Sequence, residues 1–262
     1  MVLVAIVAAV FWWCFSRSQL RWFWVGVGLW TISVVLKIAC ALVTNPLVLP
    51  PLEDLPFPLH VTLGALYSGV HSSLFEMGFT LLAVLIWHQL GRNAGRAIAI
   101  GVGAGAFEAF LLGLVAFASG FALIFVEGKA GEEALKGLEH AASITPLYWL
   151  AGPVERIIAI LCHASSRALI LLGVAKKRYM LIFWGFLIFT LLDGVAGGAH
   201  VGGFVGKISA WWVELAILPC GLVSIPILIW CYRRWGKENQ EEESVDSEPQ
   251  PPLKKDDLSP LE

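Results

Sequence analysis

Long apolar runs alternate with short polar connections along most of this chain. A run of about 20 apolar residues is long enough to cross the hydrocarbon core of a bilayer as a helix. We therefore predict seven membrane-spanning helices, over residues 1–15, 22–43, 61–90, 97–126, 149–175, 179–200 and 209–232. The first is the shortest, because a helix of that length covers only about 22 Å of a core roughly 30 Å thick. The pattern predicts an all-α fold, a polytopic membrane helix bundle.

The connections between the predicted spans differ in charge, and the difference predicts an orientation. The first, third and fifth connections and the segment after the last span carry ten cationic residues: Arg17, Arg21, Arg92, Arg96, Lys176, Lys177, Arg178, Arg233, Arg234 and Lys237. The other connections carry only Lys129, Lys136 and Lys207. Cytoplasmic loops are enriched in Lys and Arg. We therefore expect the amino terminus outside, the carboxyl terminus in the cytoplasm, and a multi-pass location in a bacterial-type inner membrane.

The composition supports a membrane protein and argues against other classes. Of the 262 residues, 58% are hydrophobic and only 15% are charged, which is unlike a soluble domain. Nine of the 20 acidic residues lie in the tail 238–262, which is also rich in Pro and Ser and is predicted to be disordered. The five cysteines have no paired spacing, so neither a disulfide framework nor a zinc ribbon is indicated. The expected surroundings are the lipid bilayer, and nucleic acid is not expected as a partner.

The two longer outer connections have different patterns. Residues 45–60 contain five prolines among apolar residues, so we predict an extended segment rather than a helix. Residues 131–142 place small and apolar side chains on one helical face and charged side chains on the other. This second pattern predicts a short amphipathic helix at the membrane interface.

Four of the predicted spans place an ionisable side chain in the middle third of the membrane. These side chains are Glu76, Glu108, His163 and Asp193. Such groups are costly in lipid, so they normally face a bundle interior or a water-filled cavity and are paired. One alone is as often a structural partner of Arg or Lys as part of a site, but four at similar depth favour a site.

The fifth predicted span also carries a polar seam. Arg156, His163 and Arg167 return to the same face at 3.6 residues per turn, and Glu155 lies beside them. We expect Glu155 and Arg156 to form a positioning pair towards the outside, and Arg167 to approach the cytoplasmic headgroups. Lys37 lies near the outer end of the second predicted span and can extend its amine to the headgroups.

Three kinds of function fit carboxylates and an imidazole at one depth. They could hold a divalent metal that activates water, with one carboxylate as the general base, although the chain contains no His-Glu-x-x-His motif. They could relay protons or bind a cation in a transporter. They could also fix the register of the helices as a purely architectural network.

A set of short motifs runs in order through the third to seventh predicted spans. The motifs are Leu74-Phe75-Glu76, Gly103-x-Gly105-x-Phe107-Glu108-Ala109, Glu155-Arg156-x-x-Ala159-Ile160-x-x-His163 with Ser166, Leu191-Leu192-Asp193, and Trp212-x-Glu214. Over roughly residues 60–232 this arrangement resembles the YhfC family, and the Glu-Arg…His block is its most specific part. YhfC proteins look like distant relatives of the type II CAAX-prenyl proteases and PrsW. The resemblance implies an intramembrane metalloprotease, a hydrolase that cleaves a transmembrane peptide.

The resemblance also implies roles for individual residues. Glu108 or Glu76 would be the base that activates water, and Arg156 would position Glu155 or the substrate. His163 with Asp193 would contact either a metal or the oxyanion; the metal, Zn²⁺ or another divalent ion, would be held by His163, Asp193 and Glu108.

Some positions depart from the family pattern. Where the family has a second Glu and two histidines, this chain has Met77, Ala104 and Thr190. His163 is then the one imidazole of the site, whereas zinc sites usually draw on several His or Cys ligands. His71 and His200 could substitute only if the fold brought them inward, which we do not expect for His200 near the outer surface.

Two alternatives to a protease therefore remain open. The protein could have kept the scaffold and lost the activity, binding a partner membrane helix or a lipid without catalysis. It could also be an ion- or proton-coupled transporter, but the chain has no evident inverted repeat, which many transporters contain.

Overall fold

The protein is an all-α bundle in the computed structural model, which describes residues 1–125 and 129–246. The helices are α1 (Val2–Ser16), α2 (Leu20–Glu53), α3 (Phe57–Ile86), α4 (Ala94–Phe125), α5 (Lys129–Ile144), α6 (Tyr148–Ala175), α7 (Tyr179–Val201) and α8 (Trp211–Asp246). A 3-10 turn, His88–Gly91, joins α3 to α4. Within these residues, α2, α3, α4, α6, α7 and α8 are long and apolar enough to cross a membrane, and α1 is a shorter apolar helix. The predicted polytopic membrane bundle is confirmed.

Helix α6 lies at the centre of the bundle. It packs against α1, α3, α4, α7 and α8, and its middle is built from small residues such as Ala164, Ser165 and Ala168. By contrast, large apolar side chains on the outer helices, including Leu42 and Phe117, are at least 70% exposed. Soluble proteins rarely expose so many apolar side chains, so the outer surface is suited to lipid.

Glycines set the spacing of the helices that carry the polar groups. A Cβ at Gly105 of α4 would lie 2.9 Å from the Cα of Ile160 on α6. A Cβ at Gly69 of α3 would lie 2.2 Å from the carbonyl oxygen of Thr190 on α7. The absent side chains let these backbones touch, so the polar side chains of four helices come within hydrogen-bonding reach of each other.

The prediction of an extended segment over 45–60 is wrong. Helix α2 continues through Pro46, Pro50 and Pro51 to Glu53, and α3 begins at Phe57. Each proline removes one backbone hydrogen bond, but ending the helix there would leave more backbone groups unsatisfied in lipid. The helix is therefore longer than predicted.

Two further segments bear on the predicted boundaries. The amphipathic segment 131–142 lies within α5, so the predicted helix is confirmed, and its place at the interface stays a prediction. Helix α8 continues to Asp246, so residues 238–246 of the predicted disordered tail are helical. Glu is a good helix former, which allows the helix to extend into the acidic segment. The rest of the tail, 247–262, lies outside the described residues.

Candidate active site

A polar cavity of about 400 Å³ opens among α2, α3, α4, α6, α7 and α8. Its wall includes six ionisable side chains of the bundle interior: Lys37, His71, Glu108, Arg156, His163 and Asp193. Charged groups within a membrane bundle mark functional sites. The ionisable side chains around His163 are therefore the candidates for a catalytic or binding site.

Glu108 is held from three sides. Its Oε2 lies 2.8 Å from Nε2 of His163 and accepts a hydrogen bond of 3.1 Å from the indole of Trp30. Its Oε1 accepts a bond of 2.6 Å from Arg156, which also pairs with Glu155. Glu155 and Arg156 thus form an ion pair that also contacts Glu108, and their positioning role stays a prediction.

Glu76 lies on the other side of His163 and is only 2% exposed. Its Oε1 accepts a hydrogen bond of 2.7 Å from Lys37. Its Oε2 lies 3.4 Å from Arg167 and 3.9 Å from Nδ1 of His163. Two cationic groups therefore compensate this buried carboxylate.

Asp193 reaches the same network through a hydroxyl group. The hydroxyl of Ser72 hydrogen-bonds to Asp193 and lies 3.4 Å from Glu76 Oε1. Lys37 also donates to this hydroxyl, at 2.9 Å. Asp193 therefore belongs to the network but does not contact His163.

The contact between Arg167 and His163 determines which ring nitrogen of the imidazole carries the proton. Nη1 of Arg167 lies 2.6 Å from Nδ1 of His163. A guanidinium can only donate hydrogen bonds, so Nδ1 must be the acceptor. The ring then carries its proton on Nε2 and donates it to Glu108.

Two predicted surface positions are wrong for a common reason, burial in this network. Arg167 does not approach the headgroups; it is 1% exposed and contacts His163 and Glu76. Lys37 does not extend to the headgroups, because it pairs with Glu76 near the midpoint of the lengthened α2. His200 lines the cavity wall but is itself exposed, which agrees with its expected place near the surface.

Sequence reasoning missed four members of the network: Lys37, Trp30, Ser72 and Arg167. Arg167 was placed correctly on the face of His163, four residues away, but was expected at the headgroups instead of in contact with that ring. Lys37 could have been found, because it is the only charged residue of α2 between Arg21 and Glu53.

Glu76, Glu108 and His163 could hold a metal ion. One ligand atom from each lies within 4.8 Å of the others, and the residues come from three different helices. Two carboxylates and one imidazole are ligands that Zn²⁺ and other divalent ions accept. This candidate group of ligands includes Glu76, whereas we predicted Asp193. Asp193 instead contacts the hydroxyl of Ser72.

Each of these three candidate ligands already has a partner in the network. Arg167 donates to Nδ1 of His163, and Glu108 accepts from Nε2 of the same ring. Because Arg167 also approaches Glu76 Oε2, a metal ion and this guanidinium would compete for the same atoms. The residues fit a metal in spacing and donor type, provided that Arg167 moves aside.

The three departures from the family pattern lie beside the network. Met77 is fully buried and packs with Ile170 and Phe189. Ala104 and Thr190 each stand one helical turn before a carboxylate of the network. His163 is the one imidazole among the three candidate ligands.

Comparison with known proteins agrees with the motifs. A family model described as YhfC intramembrane metalloprotease matches residues 1–216, a range that includes every member of the network above. No curated protein and no solved structure matches the chain. The chain belongs to the YhfC intramembrane metalloprotease family.

Proposed function

We propose that this protein hydrolyses peptide bonds within the membrane, at the cavity between Glu108 and Asp193. The observation that carries the proposal is the convergence of Glu76, Glu108 and His163 from three helices at a polar cavity. Hydrolysis needs water, and a lining of charged side chains stabilises water at a depth where lipid would exclude it.

Glu108, rather than Glu76, is the better candidate for the base. Glu108 lines the cavity, whereas Glu76 is 2% exposed and is not part of the cavity wall. Glu108 would take a proton from the attacking water and pass it to the amine that leaves when the peptide C–N bond breaks. The Nε2–H of His163, 2.8 Å away, holds this carboxylate in place.

Arg156 fits two tasks at the same wall. It fixes Glu108 through Oε1, and as a cavity-lining cation it can stabilise the negative charge that develops on the carbonyl oxygen of the substrate. If a divalent metal binds, Glu76, Glu108 and His163 would hold it, and Glu108 would then be a ligand rather than a free base. The metal would supply a Lewis acid for the carbonyl group and a more acidic bound water.

The substrate has a route to this cavity. A second cavity of about 310 Å³ lies between α5 and the connection from α7 to α8, and the two cavities share Glu155, Ala196, His200 and Val213. A peptide segment could enter there in an extended form. This supports a transmembrane or juxtamembrane peptide as the substrate.

The test is cleavage by purified protein in liposomes, with a panel of single-span peptides labelled at one end. The native protein should release labelled fragments, and Glu108→Gln should slow their release by about 10²-fold or more, the usual contribution of a general base. Glu53→Gln, the same change at an exposed helix end, should leave the rate unchanged. Cleavage at the native rate by Glu108→Gln would refute the proposed role.

A scaffold without catalytic activity is the second candidate. It is favoured by one observation: Lys37, Arg156 and Arg167 already compensate the buried carboxylates, as a structural network would. In that case Glu108→Gln would lower stability, no peptide would be cleaved, and neither Zn²⁺ nor Mn²⁺ would bind to the purified protein.

A further inference from the structure

A third cavity, of about 480 Å³ and lined by polar residues, lies at the other end of the bundle from the candidate active site. It is bounded by the connection between α1 and α2, the beginning of α4, and Tyr232 and Trp235 of α8. Arg96 in its wall and Glu108 are twelve residues apart on α4, which corresponds to about 18 Å. The two cavities are therefore separate sites.

Three guanidinium groups line this cavity: those of Arg17, Arg21 and Arg96. Among the side chains described in residues 1–123 and 131–235, no Asp or Glu lines it and none of the three arginines has an ion pair. Like charges held close together repel each other. An anion bound between them would remove this repulsion.

Two of these arginines are held in place by a buried aromatic ring. The guanidinium carbons of Arg21 and Arg96 lie 4.6 Å and 4.0 Å from the ring centroid of Trp22, which is 4% exposed. Cation–π contacts of this kind are worth about 0.5–1 kcal/mol at exposed sites. Arg96 also donates to the carbonyl oxygen of Gln89, and its buried Nε has no partner in the described part of the chain. Arg21 and Arg96 are therefore oriented by the protein itself, and Arg96 keeps an N–H donor that can bind a ligand.

The backbone adds to the positive character of the cavity. Helices α2 and α4 both begin beside it, at Leu20 and Ala94, and the positive ends of helix dipoles attract anions. Asn93 caps α4 by accepting from the backbone N–H of Arg96 at 2.9 Å. Ser18 also lines the cavity, and its hydroxyl is oriented by a contact of 2.7 Å with the hydroxyl of Ser16.

We propose that this arginine cavity binds a phosphate group, presented either by an anionic phospholipid headgroup or by phosphate free in solution. Guanidinium groups bind phosphate oxygens in pairs, and their fixed fork matches phosphate better than a point charge does. The cavity lies on the side that the charge pattern predicts to be cytoplasmic, where anionic lipids concentrate. The proposal does not depend on peptidase activity.

The test is a titration of the full-length protein in a neutral detergent, in which native mass spectrometry measures the fraction of protein with bound ligand. Three probes are compared: short-chain phosphatidylglycerol, phosphatidylcholine of the same chain length, and inorganic phosphate. Phosphatidylglycerol should bind at least about tenfold more tightly than phosphatidylcholine. Arg21→Gln should weaken it about fivefold, which is the usual contribution of one cation near an anionic headgroup, and the double variant Arg17→Gln/Arg21→Gln about 25-fold.

A matched control separates this site from the general positive charge of that membrane face. Arg178→Gln removes the same charge at an exposed position that does not line the cavity, so it should change the affinity less than twofold. Competition by millimolar phosphate would identify the soluble source, and its absence the lipid source; both outcomes support the proposal. Equal weakening by Arg178→Gln and Arg21→Gln, or equal binding of the two lipids together with no binding of inorganic phosphate, would overturn it.

Discussion

Replacement of Arg167 by Met is the most informative change at the candidate active site. The guanidinium of Arg167 lies 2.6 Å from Nδ1 of His163 and 3.4 Å from Oε2 of Glu76, and the residue is 1% exposed. Methionine is an unbranched side chain that fills irregular gaps, so the change removes the charge and its donors with little loss of packing. Both partner atoms become available to another cation.

The loss of stability can be worked out from these contacts. Removing one partner of a buried ion pair costs about 3–5 kcal/mol, because the remaining charge is left uncompensated. Glu76 retains Lys37 at 2.7 Å, so we expect the lower end, about 3 kcal/mol. Arg178→Met is the matched control, since Arg178 is exposed at a helix end, and it should cost less than about 0.5 kcal/mol.

The assay is unfolding by SDS in mixed micelles, with and without Zn²⁺ or Mn²⁺. Circular dichroism measures the fraction of protein that remains folded. A metal at one hundred times its dissociation constant adds about 2.7 kcal/mol to the stability of the folded state. We expect Arg167→Met to gain this stabilisation at a lower metal concentration than the native protein, in which the guanidinium has to be displaced. Equal metal affinity in the two proteins would show that Arg167 does not compete for the ligands. An unchanged stability without metal would refute the buried ion pair.

Two further changes test the network and the packing behind it. Lys37→Met should destabilise the protein by about 3 kcal/mol, and Glu76→Gln in the same chain should recover part of this loss; strictly additive losses in SDS titrations would show that the pair is not coupled. Gly105→Leu should separate α4 from α6, because its Cβ would lie 2.9 Å from the Cα of Ile160, and peptide cleavage in liposomes should fall with it. Gly120→Leu, on the same helix with nothing within 4 Å of its Cβ, should leave cleavage unchanged, and equal losses in both variants would contradict the packing argument.

The long apolar helices were predicted correctly because they depend on local composition, and the depth of the four ionisable groups stays a prediction. Each apolar run is long enough to identify alone, and the predicted depth of Glu108 or His163 follows from the helical rise. The partners of these groups depend on which helices meet, and that depends on backbone contacts such as the one at Gly105. No periodicity within a single span specifies such a contact.

One misread segment explains why Lys37 was assigned to the surface. Prolines at 46, 50 and 51 indicated an end to the helix near residue 43, which put Lys37 only six residues from the headgroups. In the structure the helix continues to Glu53, and Lys37 lies near its midpoint. In lipid, a proline lacks one hydrogen bond but need not end a helix, since the cost of exposing several more backbone groups is greater.

The balance of charge around His163 bears on whether a metal is needed. Three cations, Lys37, Arg156 and Arg167, face four carboxylates, Glu76, Glu108, Glu155 and Asp193. With a neutral imidazole the sum is one negative charge, so a divalent ion would bring the cluster to one positive charge. A buried excess charge is costly, and moving Arg167 away from the ligands is the change that lowers the local repulsion. Metal binding by the native protein and by Arg167→Met therefore also tests the mechanism: if the variant binds Zn²⁺ or Mn²⁺ while the native protein binds neither and still cleaves peptide, the native site works with its guanidinium in place, with Glu108 as the base.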